Sequence, residues 1–368
     1  DPDGGKIIRD KNGNPTGVFI DKAMNLIETK IPPRTDAEKA KALELSLQEM
    51  AEMGLTGVHD AGISHDIYEL YKQFGDENRL TTRIYAMIGG AGNDFDKIAS
   101  HGLLKNYADD RLYVQSVKLY EDGALGSRGA AMIHPYTDDP ANFGLLFHDE
   151  AELTQLMLKV AQKGYQVNTH AIGDKANQVV LNAAEKTIQT LGLIDHRFRV
   201  EHAQIVHPED IPRFKKLDVI ASMQPTHATS DMNMAEDRVG PERIKGAYAW
   251  KTFLNQGTIV AAGSDFPVEE SNPFFGLYSA VTRKDHNGMP MQGWYPEEKL
   301  TRAEALKAFT IDAAWAGFMQ DVTGSLEIGK WADFIVIDRD YFTIDESEIW
   351  KTKVLQTWLS AEKVFEKK

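Results

Sequence analysis

The sequence predicts an α/β protein built as a TIM-like (β/α)8 barrel. Two observations carry that prediction. From about residue 56 to residue 263, β-rich runs alternate with runs of helical period, the pattern of parallel strands joined by crossover helices. Four of the β-rich runs end in a residue able to hold a metal or move a proton. They are Val117-Lys118-Leu119-Tyr120, Val167-Asn168-Thr169-His170, Arg199-Val200-Glu201-His202 and Ala262-Gly263-Ser264-Asp265. A parallel barrel gathers its reactive side chains at the C-terminal ends of its strands, so these four would meet at one mouth.

Composition bounds the reading. The 368 residues suffice for a large core, in one big domain or two modest ones. A net charge of -14, with no basic stretch, argues against a nucleic-acid partner. There are no cysteines, which excludes disulfides, thiolate nucleophiles and Cys-ligated zinc. No apolar run is long enough to span a bilayer, so no membrane partner is expected. The chain opens Asp1-Pro2-Asp3-Gly4-Gly5 without an initiator Met or a signal-peptide pattern. A cytoplasmic location is expected, with an upstream targeting segment left open. A small-molecule substrate is the expected partner, and a homodimer is admitted as an assembly.

The elements follow in order. Lys6–Arg9 and Thr16–Ile20 are strand candidates around the turn Asp10–Asn14, which makes residues 1–35 a hairpin insertion. Pro32-Pro33 closes it, and Thr35-Asp36 offers an N-cap for a helix to about Met53. Barrel strands are then expected at Thr56–Asp60, Thr82–Ile88, Gln115–Tyr120, Gln166–His170, Arg199–His202, Val219–Gln224 and Thr258–Gly263. Glu150–Gln162 and Asp174–Leu191 carry apolar residues at three- and four-residue spacing, and Gly164, Gly192 and Gly257 stand where helix C-caps belong. Helices around Pro273–Thr282 and Arg302–Phe318 follow the last strand. Ala332–Ile337, Val354–Leu359 and Lys363–Phe365 read as strands of a second, small β-domain. The domain division is 1–320 for the barrel and 321–368 for the C-terminal part of the small domain.

The expected barrel strands number seven, whereas a closed barrel needs eight. The helix ending near Met53 has no barrel strand before it. The first strand is therefore expected upstream of Asp1, since a seven-stranded remnant would expose two unpaired edges.

Each reactive residue has an ordinary alternative when read alone. His170 and His202 could be core or surface histidines, Lys118 a snorkelling surface lysine, and Asp265 a turn residue. Read together, the histidines are metal ligands, because neutral imidazole is the commonest nitrogen ligand for zinc. Burial can make Lys118 neutral. It could then take up carbon dioxide as a carbamate that bridges two cations, or form a Schiff base with a substrate carbonyl. The two histidines favour the carbamate. Asp265 can ligate a metal and accept the proton of a metal-bound water. The expected metal set is thus Lys118, His170, His202 and Asp265, with Asp265 also catalytic. His59, His227 and Arg128 are candidate substrate contacts, and Asn168 and Arg283 weaker orienting groups. Zinc, as one ion or two, is the default cation, while iron, manganese and nickel suit the same ligands.

Five segments in order, KLYEDGALGSRGAAM (118–132), NTHAIGDKA (168–176), VEHA (200–203), GSDFPV (263–268) and GSLEIGKWADFIVID (324–338), resemble the amidohydrolase superfamily. More narrowly they resemble its amidohydrolase-3 branch, which includes N-substituted formamide deformylases. The resemblance covers essentially the whole chain. It implies a metal-dependent (β/α)8 hydrolase with a flanking β-sandwich built from both chain ends. Lys118 would be the carboxylated bridging lysine, His170 and His202 would hold the second metal, and Asp265 would be the metal-bound acid/base. The family places a His-x-His pair on strand one. No such pair occurs in these residues, in agreement with the strand count, so the chain reads as a fragment of a longer gene product. The expected activity is hydrolysis of a C–N bond in an amide-like or formamide-like substrate. Alternatives are an ester or lactone hydrolase using the same metals, a Schiff-base lyase using Lys118, and a non-catalytic remnant.

Overall fold

The computed structural model describes residues 1–368. Its strands in chain order are β1 (Gly5–Arg9), β2 (Pro15–Asp21), β3 (Gly57–Ile63), β4 (Arg83–Gly89), β5 (Leu104–Tyr107), β6 (Leu112–Tyr120), β7 (Gln166–Ala171), β8 (Arg199–His202), β9 (Ile220–Met223), β10 (Val260–Ala262), β11 (Phe334–Ile337), β12 (Val354–Leu359) and β13 (Glu362–Glu366). Seven of them form one curled parallel sheet in the order β10-β9-β8-β7-β6-β4-β3. This is the expected set of seven, in barrel order. β3 and β10 end the sheet and do not pair with each other.

The sheet is covered on both faces, as parallel sheets are. β6 is buried from Leu112 to Leu119, and β4 from Arg83 to Ile88. β3, at the edge, is mostly exposed or half-buried. Helices supply the outer layer, and their ends are well specified. Thr35 and Glu38 form a reciprocal capping box at Asp36–Glu52, and Asp149 and Glu152 do the same at Glu150–Ala161. Asp174–Leu191 stops at Gly192, whose φ of 61° is the left-handed turn that glycine adopts at lowest cost.

β11, β12 and β13 make a separate antiparallel sheet. Its attachment to the barrel is polar and buried. Arg83, the first residue of β4, donates Nε and Nη2 to Asp333 at 2.6 and 2.9 Å. It also donates to the carbonyls of Asp109 and Asp110 and to Ser360. The Thr357 hydroxyl donates to the Ala51 carbonyl at 2.6 Å, tying β12 to the first long helix.

Two elements differ from the sequence reading. β5 is an extra four-residue strand, antiparallel to β6. The expected helix Arg302–Phe318 is two helices, Arg302–Phe309 and Ile311–Ala316, broken at Thr310 (φ -126°, ψ -83°). The second helix turns under the sheet, where Ala316 packs on Ile220 and Ala261.

Candidate active site

Alternation along a strand sends every second side chain to the same face. Strand register then sets the neighbours. Lys118 lies beside Asn168, and Asn168 beside Arg199; one step on, Tyr120, His170 and Glu201 align. The four residues singled out from the sequence are accordingly brought together. The His170 and His202 rings stand 4.5 Å apart between centroids. The charge of Lys118 acts on both His202 and Asp265, and that of His170 acts on Asp265.

Lys118 is only 3% exposed, with its Nζ 4.2 Å from the centre of the Tyr120 ring, so the snorkelling alternative fails. Burial brings its pKa down to about 8, against the pull of Glu201 and Asp265. A neutral amine is therefore accessible near physiological pH. Burial also lifts Asp265 to about 6, opposed by Lys118 and His170.

His227, expected from sequence as a substrate contact, stands inside the cluster. The ligand atoms of His202, His227 and Asp265 all lie within 4.8 Å of one another, and His227 Nε2 is 3.8 Å from Asp265 Oδ2. His227 Nε2 is buried and has no hydrogen-bond partner. Burial, reinforced by His170, lowers its pKa to about 4. Burial, His170, Lys118 and His227 hold His202 well below the usual imidazole range. Both rings are thus neutral at pH 7, as a metal ligand must be. Two backbone positions here are unusual for residues with a Cβ. His202 has φ 79° and Asp265 φ 62°, conformations that cluster at functional sites.

Neighbours fix the imidazole tautomers. His202 Nδ1 lies 2.8 Å from Gln224 Oε1. With the amide oxygen as acceptor, the proton sits on Nδ1 and the Nε2 lone pair is free. His170 Nε2 faces the Asp122 carboxylate at 3.3 Å and the Gly123 carbonyl at 3.5 Å, which leaves Nδ1 free. Asp122 is itself anchored by the backbone N–H groups of Ala131, Ile172 and Gly173.

The remaining candidates lie outside the His202, His227 and Asp265 trio. His59 faces the barrel interior, with Nδ1 2.8 Å from Arg199 Nη1 and its ring against Tyr85. Arg128 is turned to Asp138, which Arg238 also engages. Arg283 is fully buried against Trp250 and Trp294. Asn168 is fully buried with both amide atoms unpartnered. The sequence reading passed over Glu201, Asp122 and Gln224. Glu201 is paired with Arg199 at Nε to Oε1 2.7 Å, and its signal was a carboxylate beside His202 at a strand end. Asp122 had a weaker signal, an acidic pair before Gly123. Gln224 had none.

The donor set fits a divalent cation. Two imidazoles and a carboxylate are zinc-type ligands, and donors about 2 Å from a tetrahedral ion stand roughly 3.3 Å apart. Small side-chain movements would bring the trio to that spacing, and the free nitrogen of His227 would gain the partner it lacks.

Comparison with known proteins agrees. An amidohydrolase family model matches residues 1–365. The chain is 34% identical to YtcJ of Bacillus subtilis, named for the same family, over 100% of this chain and 69% of that protein. It is 34% identical to the protein LONG AFTER FAR-RED 3 of Arabidopsis thaliana, over 99% of this chain and 64% of the relative. It is 26% identical to an N-substituted formamide deformylase of Arthrobacter pascens, over 98% and 67%. A crystal structure of an uncharacterized metal-dependent hydrolase from Pyrococcus horikoshii superimposes with a TM-score of 0.78 at 28% identity, covering 92% of this chain and 68% of that one. The chain therefore spans about two thirds of the length of these relatives. By family match and by fold, the chain belongs to the amidohydrolase family.

Proposed function

We propose that this chain carries the metal-dependent hydrolytic centre of an enzyme that cleaves a C–N bond in an amide-like or formamide-like substrate. The observation that carries the reading is the convergence of His202, His227 and Asp265 within 4.8 Å. His170 and Lys118 adjoin that trio. His202, His227 and Asp265 would hold a divalent cation, zinc by ligand type. His170 and a carboxylated Lys118 would border it and accept a second ion. A cation bound there supplies Lewis-acid polarisation and a water of lowered pKa.

The chain's own residues do the rest. Asp265, with its pKa raised to about 6, is ionised at neutral pH yet basic enough to take a proton from water. It returns that proton to the leaving nitrogen. Gln224 and Asp122 hold the imidazoles so that one nitrogen of each faces the centre. Tyr120 shields Lys118 from water. The likeness to a formamide deformylase supports a C–N substrate.

A panel of N-formyl and N-acyl amines beside matched esters and lactones tests the reading. Amine release from the amides is expected, with Asp265→Asn lowering kcat about 100-fold to 10,000-fold. Turnover confined to esters or lactones would overturn the bond assignment. An unchanged kcat in Asp265→Asn would overturn its role.

A further inference from the structure

The N-terminal hairpin makes an unexpected approach to the active-site loop. β2 ends at Asp21, which has φ 51° and ψ -129°, a region that residues with a Cβ rarely occupy. Its carboxylate lies in a cradle between Gly123 and Gly129. A Cβ on either glycine would collide with it. The two glycines are held together by the Gly123 N–H donating to the Gly129 carbonyl at 3.3 Å. Flanking contacts fix the hairpin in place: the Lys22 ammonium donates to the Phe147 carbonyl at 3.3 Å, and Ala23 is fully buried.

This seat is adjacent to a site residue. Gly123 follows Asp122, and its carbonyl faces His170 Nε2 beside the Asp122 carboxylate. The charge of Asp21 interacts with both Asp122 and His170. Asp21 Oδ2 is buried without a hydrogen-bond partner, so hydrogen bonding does not account for its placement. Two side-chain-free positions, a disfavoured backbone and an unpaired oxygen all meet at one contact. Contacts that cost energy persist where the surrounding structure over-determines them, and such places cluster at active sites.

We propose that Asp21 is a positioning residue for His170: the hairpin seats its last carboxylate between Gly123 and Gly129 and so fixes the loop that orients the His170 ring. The inference rests on His170 being part of the active centre, as read above. It assigns the hairpin a role in the chemistry rather than in the fold alone.

Three variants of the full chain test it: Asp21→Ala, Gly129→Ala and Asp21→Asn. Two readouts are used, the imidazole nitrogen signals of His170 in histidine-labelled protein, assigned with His170→Gln, and zinc affinity. Asp21→Ala empties the seat and Gly129→Ala blocks it. Both should move the His170 nitrogens toward the averaged values of a freely exchanging tautomer pair, and both should weaken zinc binding about tenfold, the scale of losing a ligand's supporting partner. Asp21→Asn fills the seat and should keep wild-type signals. Wild-type His170 signals in both Asp21→Ala and Gly129→Ala would overturn the proposal. So would loss of fold in either, which would assign the contact to folding. Absence of zinc binding in the wild type would instead defeat the metal reading, leaving the His170 signals to judge Asp21.

Discussion

The two ends of the parallel sheet hold their buried charged groups differently. At the N-terminal end of the strands two buried arginines have their donors satisfied, although Arg111 Nε and Thr258 Oγ1 there lack partners. Arg83 spends its donors on Asp333, Ser360 and two carbonyls. Arg197 does the same with Asp195, Gln320 and the Trp315 carbonyl. At the C-terminal end, His227 Nε2 and both amide atoms of Asn168 are buried without partners. There His202 and Asp265 hold left-handed backbone, and Lys118 and Asp265 titrate far from their ordinary values. One sheet thus separates a stability face from a chemical face, the division expected of a barrel enzyme.

Mutations at the two ends should therefore fail differently. Arg83→Ala leaves Asp333 buried and unpaired and should cost about 3–5 kcal/mol of stability, while the folded fraction keeps its metal. Chemical denaturation with metal analysis of the folded fraction checks both halves; metal loss from that fraction would erase the division. His202→Ala should do the reverse. Zinc affinity should fall by at least about 100-fold, more than loss of a ligand's supporting partner costs, with thermal unfolding of the metal-free chain near wild type. Competition with a chelating dye reads the first, calorimetry the second. Gln224→Ala sharpens the comparison at the same end. It frees the His202 tautomer without removing a ligand, so a loss of about tenfold is expected.

The last effect concerns pH. Burial pushes Glu121 up to about 7, against His148 3.2 Å away. Between 4.5, its ordinary value, and about 7, the folded chain keeps a proton that the unfolded chain has lost. That contribution to stability is therefore present at the acid end of the window and is lost as pH rises through it. Glu121→Gln should flatten the dependence, moving the melting temperature by about 4 °C relative to wild type across that range. Parallel melting curves for the two proteins would show Glu121 to be irrelevant to the slope.

Much of this arrangement was legible in the sequence. Most barrel strands were marked by β-branched and apolar runs, Arg199–His202 by its place in the alternation, and four reactive ends fell at equivalent positions, so convergence followed from topology. β5 escaped because four residues with an exposed Lys105-Asn106 centre carry no period. The break at Thr310 escaped because apolar spacing continues through it. Arg128 looked like a site residue because it follows the Lys118 strand, yet its partner, Asp138, lies ten residues further along the same loop, and nothing local announces that pairing. His227 was read as a substrate contact rather than a ligand because it lies three residues beyond the expected strand end at Gln224. Pro225–Asp231 starts directly at the strand end and carries it back over the mouth. Gln224 was invisible because an amide that orients a ligand has no signature apart from its geometry.

The most direct test is elemental analysis of the purified chain after exhaustive dialysis, beside His202→Ala and Asp265→Asn. At least one equivalent of a divalent metal in the wild type, lost in both variants, is the predicted result. A wild type that retains no metal, or variants that retain as much as it does, would contradict the assignment of this mouth as a metal centre.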